Sequence, residues 1–363
     1  MNKQKNILIC PLEWGLGHAG RMIALAVKLR ETNFNILFGA GEKHLSFIRN
    51  EIPGLTYISF PGFRPGYSRF LPQYFVILLK IPLLLYHLIH EHIMLRKIID
   101  RYAIDIVISD NRFGLWNKNI KTVYITHQLL IPMPKLFSGL EFIGIIFHRY
   151  IIRKYSLCFI PDLPGDVNVS GRLSHGVKLP RNALFIGILS RFTGMTSPES
   201  NSPVSFRHNT VILSGPEPQR SILEKKLTNI LKNRELPSVI LVARPDKPSK
   251  ITSPGNIISF NDLPGPVMKE IITRSEAIVA RSGYTTIMEL ISLNCSALLI
   301  PTPGQTEQEY LAFYLAEKGW FATVSQKNIN TGTPLPSTDP AWNGEIAEQS
   351  RILFEKALME MSE

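Results

Sequence analysis

At 363 residues the chain exceeds the length over which one hydrophobic core keeps growing, so two domains are expected. A hydrophobic fraction of 45% with 24 Gly and 26 Pro excludes a disordered or fibrous chain. Its 40 Lys and Arg against 29 Asp and Glu leave a charge of +11, which favours phosphorylated substrates or anionic headgroups; no basic stretch interleaved with aromatics occurs, so no nucleic-acid partner is expected.

Cys10, Cys158 and Cys295 each lie in or beside an apolar run, and their odd number predicts buried, reduced thiols and a cytoplasmic location. The first apolar run, 7–11, is too short for a signal-peptide core. Strands are predicted over 6–10, 35–38, 56–58, 105–109, 122–125, 157–160 and 183–186, with a helix over 20–30 from the spacing of Met22, Leu25, Ala26 and Leu29. Between them, Phe70 to Met94 is strongly apolar but is interrupted by Lys80 and Glu91 and by Pro72 and Pro82, which argues against a membrane span. A long, partly buried helix is expected there, its face and the cations Arg69, Lys80, Arg96 and Lys97 being suited to peripheral contact with an anionic inner membrane face.

The polar, Pro- and Ser-rich stretch 192–208 reads as a linker. A second series follows, with strands over 210–213, 238–242, 257–259, 277–280 and 297–300 and helices over 217–232, 267–274, 285–293 and 307–318. The expected division is therefore a first domain over 1–191, a linker over 192–208, a second domain over 209–340 and a C-terminal helix over 341–363. Alternating strands and helices predict an α/β fold of two doubly wound, Rossmann-like parallel sheets facing a central cleft.

Three motifs follow strands. In the first, Gly15, Gly17, His18 and Gly20 match a G-x-G-x-x-G spacing, but the second strand ends without the acidic residue that a dinucleotide-binding fold places on a ribose. His18 is instead a candidate general base on the acceptor side, where Gly15 and Gly17 let a ligand approach; capping the helix or binding a phosphate are its other readings. In the second, Arg281, Ser282 and Gly283 form a turn before a helix with Thr286 in its first turn, which suits a diphosphate. Glu289 lies six residues beyond Gly283, a rise of about 9 Å along a helix, within reach of a ribose; a salt-bridged helix Glu is the alternative. In the third, Glu307, Gln308 and Glu309 open a helix and offer donors and acceptors to sugar hydroxyls. Asp110, after the strand over 105–109, is placed to orient His18 or to form an Asx turn, and His127 to line an acceptor pocket. His87, His90 and His92 lack ligand spacing, so no metal site is expected.

The stretch 256–319 resembles the family 28 glycosyltransferases: Phe260-Asn261-Asp262-Leu263, Arg281-Ser282-Gly283, Thr286, Glu289, Pro301 and the Glu307-Gln308 pair carry the likeness. The resemblance implies a GT-B fold and inversion at the anomeric carbon without a bound metal. It also implies that backbone around Phe260 receives the base, Glu289 the ribose, and Gln308, with Glu307 or Glu309, the sugar of a UDP-hexose or UDP-GlcNAc donor. Ser214 and Gly215 stand where the family has another Gly-rich phosphate loop, though this loop is poorer in glycine and no doubled glycine precedes His18. The expected function is inverting, metal-independent transfer to a hydroxyl acceptor, a lipid-linked or cell-envelope glycan, with His18 as base and Arg281 stabilising the leaving group. A UDP-sugar epimerase of the same architecture and a non-catalytic nucleotide-sugar-binding subunit are the alternatives.

Overall fold

The computed structural model describes residues 4–32, 34–64, 66, 76, 79–133, 135–195, 203–242, 250–252, 255–342 and 344–363. Residues 196–202 of the expected linker, and Arg69, Phe70 and Pro72 of the apolar segment, lie outside them. The chain forms two units.

The first unit contains β1 (Lys5–Cys10), α1 (Leu16–Arg30), β2 (Phe34–Ala40), α2 (Glu42–Glu51), β3 (Thr56–Ser59), α3 (Ile81–Tyr102), β4 (Ile106–Asp110), β5 (Lys121–Ile125), α4 (Glu141–Ile152), β6 (Leu157–Ile160) and β7 (Ala183–Phe185). Its strands form one parallel sheet ordered β3-β2-β1-β4-β5-β6-β7. The run Ile7-Leu8-Ile9-Cys10 is buried throughout because helices cover both faces. Alternation along the strand sends Ile7 and Ile9 into a core with Met22 and Leu25 of α1, and Leu8 and Cys10 into one with Leu95 and Ile98 of α3.

Helix α1 begins at Leu16, earlier than the 20–30 read from its apolar spacing, so Gly17 and His18 belong to its first turn. In α3 only Glu91, Leu95 and Ile98 are fully buried, and Pro82 sits in the first turn, where a missing N–H costs nothing. No helix among the described residues is long and apolar enough to cross a membrane.

The second unit contains β8 (His208–Ile212), α5 (Gln219–Leu231), β9 (Ser238–Leu241), β10 (Lys250–Thr252), β11 (Ile257–Phe260), α6 (Gly265–Thr273), β12 (Ser275–Ala280), α7 (Tyr284–Ser292), β13 (Leu298–Leu299), α8 (Thr306–Glu317) and β14 (Ala322–Thr323). Its sheet is ordered β10-β11-β9-β8-β12-β13-β14, parallel except for the edge strand β10. Both sheets thus reverse direction next to their first strand, between β1 and β4 and between β8 and β12. In open α/β sheets that reversal opens a crevice at the carboxyl ends of the strands, where ligands bind.

The last helix, α9 (Glu345–Ser362), returns to the first unit, where Phe354, Ala357 and Met361 join the core of β1 and α1. Gly187 permits this contact: its φ is +72°, and a Cβ there would lie 2.3 Å from Ser350 Cα. The segment expected to be a linker also packs: Phe192 is buried and Lys269 Nζ donates to the Met195 carbonyl, both within the second unit.

Candidate functional site

In the first unit, β1 and β4 pair with Cys10 opposite Ser109, so the loop into α1 and the end of β4 flank the reversal point. His18 leaves α1 there with its Nδ1 2.9 Å from Asp110 Oδ2. Asp110 is fully buried, which by itself favours the neutral acid. Arg21 opposes this with two contacts, Nε to Oδ2 at 3.1 Å and Nη2 to Oδ1. Together with His18 it more than offsets burial and holds the carboxyl down at about 2, so Asp110 is an anion that only accepts hydrogen bonds.

Arg21 also reaches His127, beyond the end of β5, with Nη1 3.1 Å from Nδ1. The structure therefore gathers three residues singled out in the sequence, His18, Asp110 and His127, around a fourth that was not. Arg21 lies three positions from His18, on the same helix face, and is buried. Gly15 and Gly17 are exposed beside them. Gly15 is extended, with open space where a side chain would be, and its carbonyl accepts from His44 Nε2 at 3.2 Å.

In the second unit, β8, β12 and β13 are neighbours, and the loops that follow them meet. Ser282 Oγ donates to the Gln308 carbonyl at 2.8 Å, and the Thr302 N–H donates to Gln308 Oε1 at 2.9 Å. That bond leaves the amide nitrogen of Gln308 as its donor side. Gly215, following Ser214, has φ +106°, a conformation that favours glycine, and faces Thr302 Oγ1. Gly283 caps α7 with no side-chain hydrogen bond, and Thr286 Oγ1 lies 3.9 Å from where its Cβ would be. Glu307 stands in the first turn of α8, and Glu309 accepts from the Gly304 N–H at 3.0 Å.

Glu289 Oε1 accepts from Arg191 Nε at 2.8 Å. Burial raises the Glu289 carboxyl and Arg191 only partly opposes it. The same guanidinium opposes the burial that raises Asp262. Sequence reasoning left Arg191 at a domain boundary. Its partner is 98 positions away, and the strand-like run before it gave no sign of the pair.

One expectation is corrected. Arg281 was placed at the leaving group, but its guanidinium is buried and turned into the unit. It donates to the carbonyls of Ile300, Pro301 and Gln219 and to Gln326 Oε1, and burial lowers it to about 10. Arg281 ties the ends of β12 and β13 to α5. Phe260, around which backbone was expected to receive a base, is the last residue of β11, and its carbonyl accepts from the Val242 N–H at 2.8 Å. Among the described residues no three His, Cys, Asp or Glu side chains could together hold a metal ion.

Residues 257–337 match the family model described as Glycosyltransferase family 28 C-terminal domain. The chain is 26% identical over 331 residues to an uncharacterized glycosyltransferase of Methanosarcina acetivorans, covering 86% of this chain and 83% of that one. Over 99 residues it is 28% identical to the UDP-N-acetylglucosamine–N-acetylmuramyl-(pentapeptide) pyrophosphoryl-undecaprenol N-acetylglucosamine transferase of Leuconostoc mesenteroides, 26% of this chain and 24% of that one. Among solved structures, the glycosyltransferase SnogD from Streptomyces nogalater shares the fold with a TM-score of 0.60 at 13% identity, covering 99% of this chain and 96% of that one.

Proposed function

We propose that this chain, a family 28-like glycosyltransferase of the GT-B fold, moves a hexose or N-acetylhexosamine from a UDP-sugar to a hydroxyl acceptor, with inversion and without a metal. The observation that carries the reading is the His18 imidazole set against an ionised, buried carboxylate at the reversal point of the first sheet. With Nδ1–H donated to Asp110, the lone pair of His18 sits on Nε2, and the ring can take a proton from an attacking hydroxyl.

The second unit supplies the donor site. The N-terminus of α7 at Gly283 would hold the diphosphate and stabilise charge as it leaves. The carboxylate oxygen of Glu289 not bonded to Arg191 would accept from the ribose, and the Gln308 amide from its donor side would reach the sugar. The name of the Leuconostoc relative, which contains UDP-N-acetylglucosamine, supports that donor. The bond from the anomeric carbon to the UDP oxygen breaks as the acceptor oxygen bonds from the opposite face. The acceptor proton goes to His18.

Thermal unfolding against UDP-, TDP- and GDP-sugars tests the donor. A UDP-sugar at about 100 times its dissociation constant adds about 2.7 kcal/mol of stability. Stabilisation by TDP- or GDP-sugars alone would remove the UDP assignment, and a product that keeps the donor's anomeric configuration would remove inversion.

Two exposed apolar helix faces favour a lipid-linked or cell-envelope acceptor and peripheral contact with an anionic membrane. On α3 these are Leu83, Leu85, Tyr86, Ile89 and Ile93; on α4 they are Phe142, Ile143, Ile146 and Tyr150. Phe113 links the helices, packing on Phe147 of α4 and lining a narrow pocket with Leu84 and Leu88 of α3. Arg96, Lys97 and Arg153 are exposed at their ends. Binding to vesicles containing phosphatidylglycerol is expected to weaken with salt and to fall roughly tenfold in the double variant Ile89→Asp, Ile146→Asp, read by co-flotation. Unchanged flotation would remove these faces from the proposal.

A further inference from the structure

The ligand-facing end of the first sheet holds a cationic hub, built by Arg21, that a histidine–carboxylate pair does not require. Arg21 is buried, and its fork meets three groups at once: both oxygens of Asp110, Nδ1 of His127 at 3.1 Å, and Nδ1 of His18 at 2.9 Å. His18 Nδ1 thus lies 2.9 Å from two partners with opposite demands. The Asp110 carboxylate can only accept and the guanidinium can only donate. One nitrogen cannot satisfy both.

We infer that Arg21 is a positioning residue that sets the two histidines in opposite tautomers, His18 with its proton on Nδ1 and His127 with its proton on Nε2. The inference rests on the reading of His18 as the base. By clamping both Asp110 oxygens, Arg21 supplies the partner without which a buried carboxylate would take up a proton. A protonated Asp110 could donate into His18 Nδ1, which would push the ring's proton to Nε2 and remove the lone pair that faces away from Asp110. While Asp110 stays ionised, its charge-assisted bond prevails at Nδ1, and the Arg21–His18 approach is a contact rather than a hydrogen bond. At His127 the guanidinium Nη1 lies 3.1 Å from Nδ1 and can only donate, so that nitrogen accepts from Arg21. Arg21 thus acts on catalysis through other residues. His44, whose Nε2 is held by the Gly15 carbonyl, is a further titratable side chain near His18.

Long-range proton–nitrogen correlation spectra of the full chain, labelled with 15N-histidine, read each ring's tautomer directly. Spectra are taken at about pH 9, above the ordinary imidazole range. His18→Ala and His127→Ala assign the two rings. In the wild type the Nδ1–H form is expected to predominate at His18 and the Nε2–H form at His127; predominance of the Nε2–H form at His18 overturns the inference without any variant. In Arg21→Met the His18 ratio of Nδ1–H to Nε2–H is expected to fall roughly tenfold, the difference between a charge-assisted and a neutral hydrogen bond. In Arg21→Lys, one ammonium can stay on Asp110 but cannot also hold His127, so His18 keeps its form while His127 loses its preference. A folded Arg21→Met protein with both rings unchanged also overturns the inference; if that variant does not fold, the wild-type and Arg21→Lys spectra decide. Turnover separates this from the functional reading. Transfer that survives His18→Ala removes the base whatever the tautomers are, whereas turnover that depends on His18 with its proton on Nε2 removes only the role of Arg21.

Discussion

Replacing His18 with alanine is expected to lower the transfer rate by about 10²-fold or more while leaving nucleotide-sugar affinity within about twofold of wild type. The split follows from placement. His18 belongs to the first unit, whereas Ser282, Gly283, Glu289 and Gln308 belong to the second. A general base acts on the acceptor's proton in the transition state, so its loss appears in kcat and kcat/KM together. Asp110→Asn is expected to fall in the same direction by a smaller factor, because an amide can donate into Nδ1 and favour the unproductive tautomer. Rapid-quench measurement of product formation at saturating donor checks the first result. Retention of full single-turnover rate in His18→Ala would leave the reaction without this base.

Glu289→Ala is expected to weaken the nucleotide sugar by about 30- to 100-fold, with a smaller change in kcat. A hydrogen bond to a charged group is worth about 1.5–3 kcal/mol, and a carboxylate that has lost its ribose hydroxyls loses at least one such bond. Because Glu289 also pairs with Arg191, truncation leaves that guanidinium short of a partner. Glu289→Gln, whose amide oxygen can still accept, separates the two effects and is expected to retain more affinity. The pH dependence carries the sign of the shift. Burial raises the Glu289 carboxyl above its ordinary value, so in the folded protein it is protonated, and loses acceptor capacity, at less acidic pH than a free glutamate. Donor affinity measured by isothermal titration is therefore expected to fall on acidification in the wild type, and the Gln variant should lack that component. Equal affinity of wild type and Glu289→Ala for UDP-sugars would end the ribose assignment.

Much of the fold is legible because parallel strands buried on both faces must be near-continuous apolar runs. Lys5–Cys10, Ile106–Asp110, Lys121–Ile125 and Ser275–Ala280 each contain one. The start of α1 is less legible. Glycines at 15 and 17 read as loop and the helix was expected only from Gly20, whereas in the folded chain the first turn forms from Leu16. Gly187 carries no sequence signal of its role at all, because the Ser350 backbone that it must admit comes from a helix 163 positions later.

Local pattern by itself determined the alternating α/β architecture, the strand-end loops and the residue types in them, and so placed His18, Asp110, Ser282, Glu289 and Gln308 beside candidate chemistry. Tertiary structure alone decided which charges are partners. Arg21 and Asp110 are 89 positions apart, and Arg191 and Glu289 98. It also turned Arg281, an apparent phosphate ligand, inward onto backbone carbonyls. Periodicity is fixed by the geometry of a single strand or helix, so a short window reveals it. The state of a buried charge depends on which groups desolvate and compensate it, and in this chain those groups come from elements far apart in sequence.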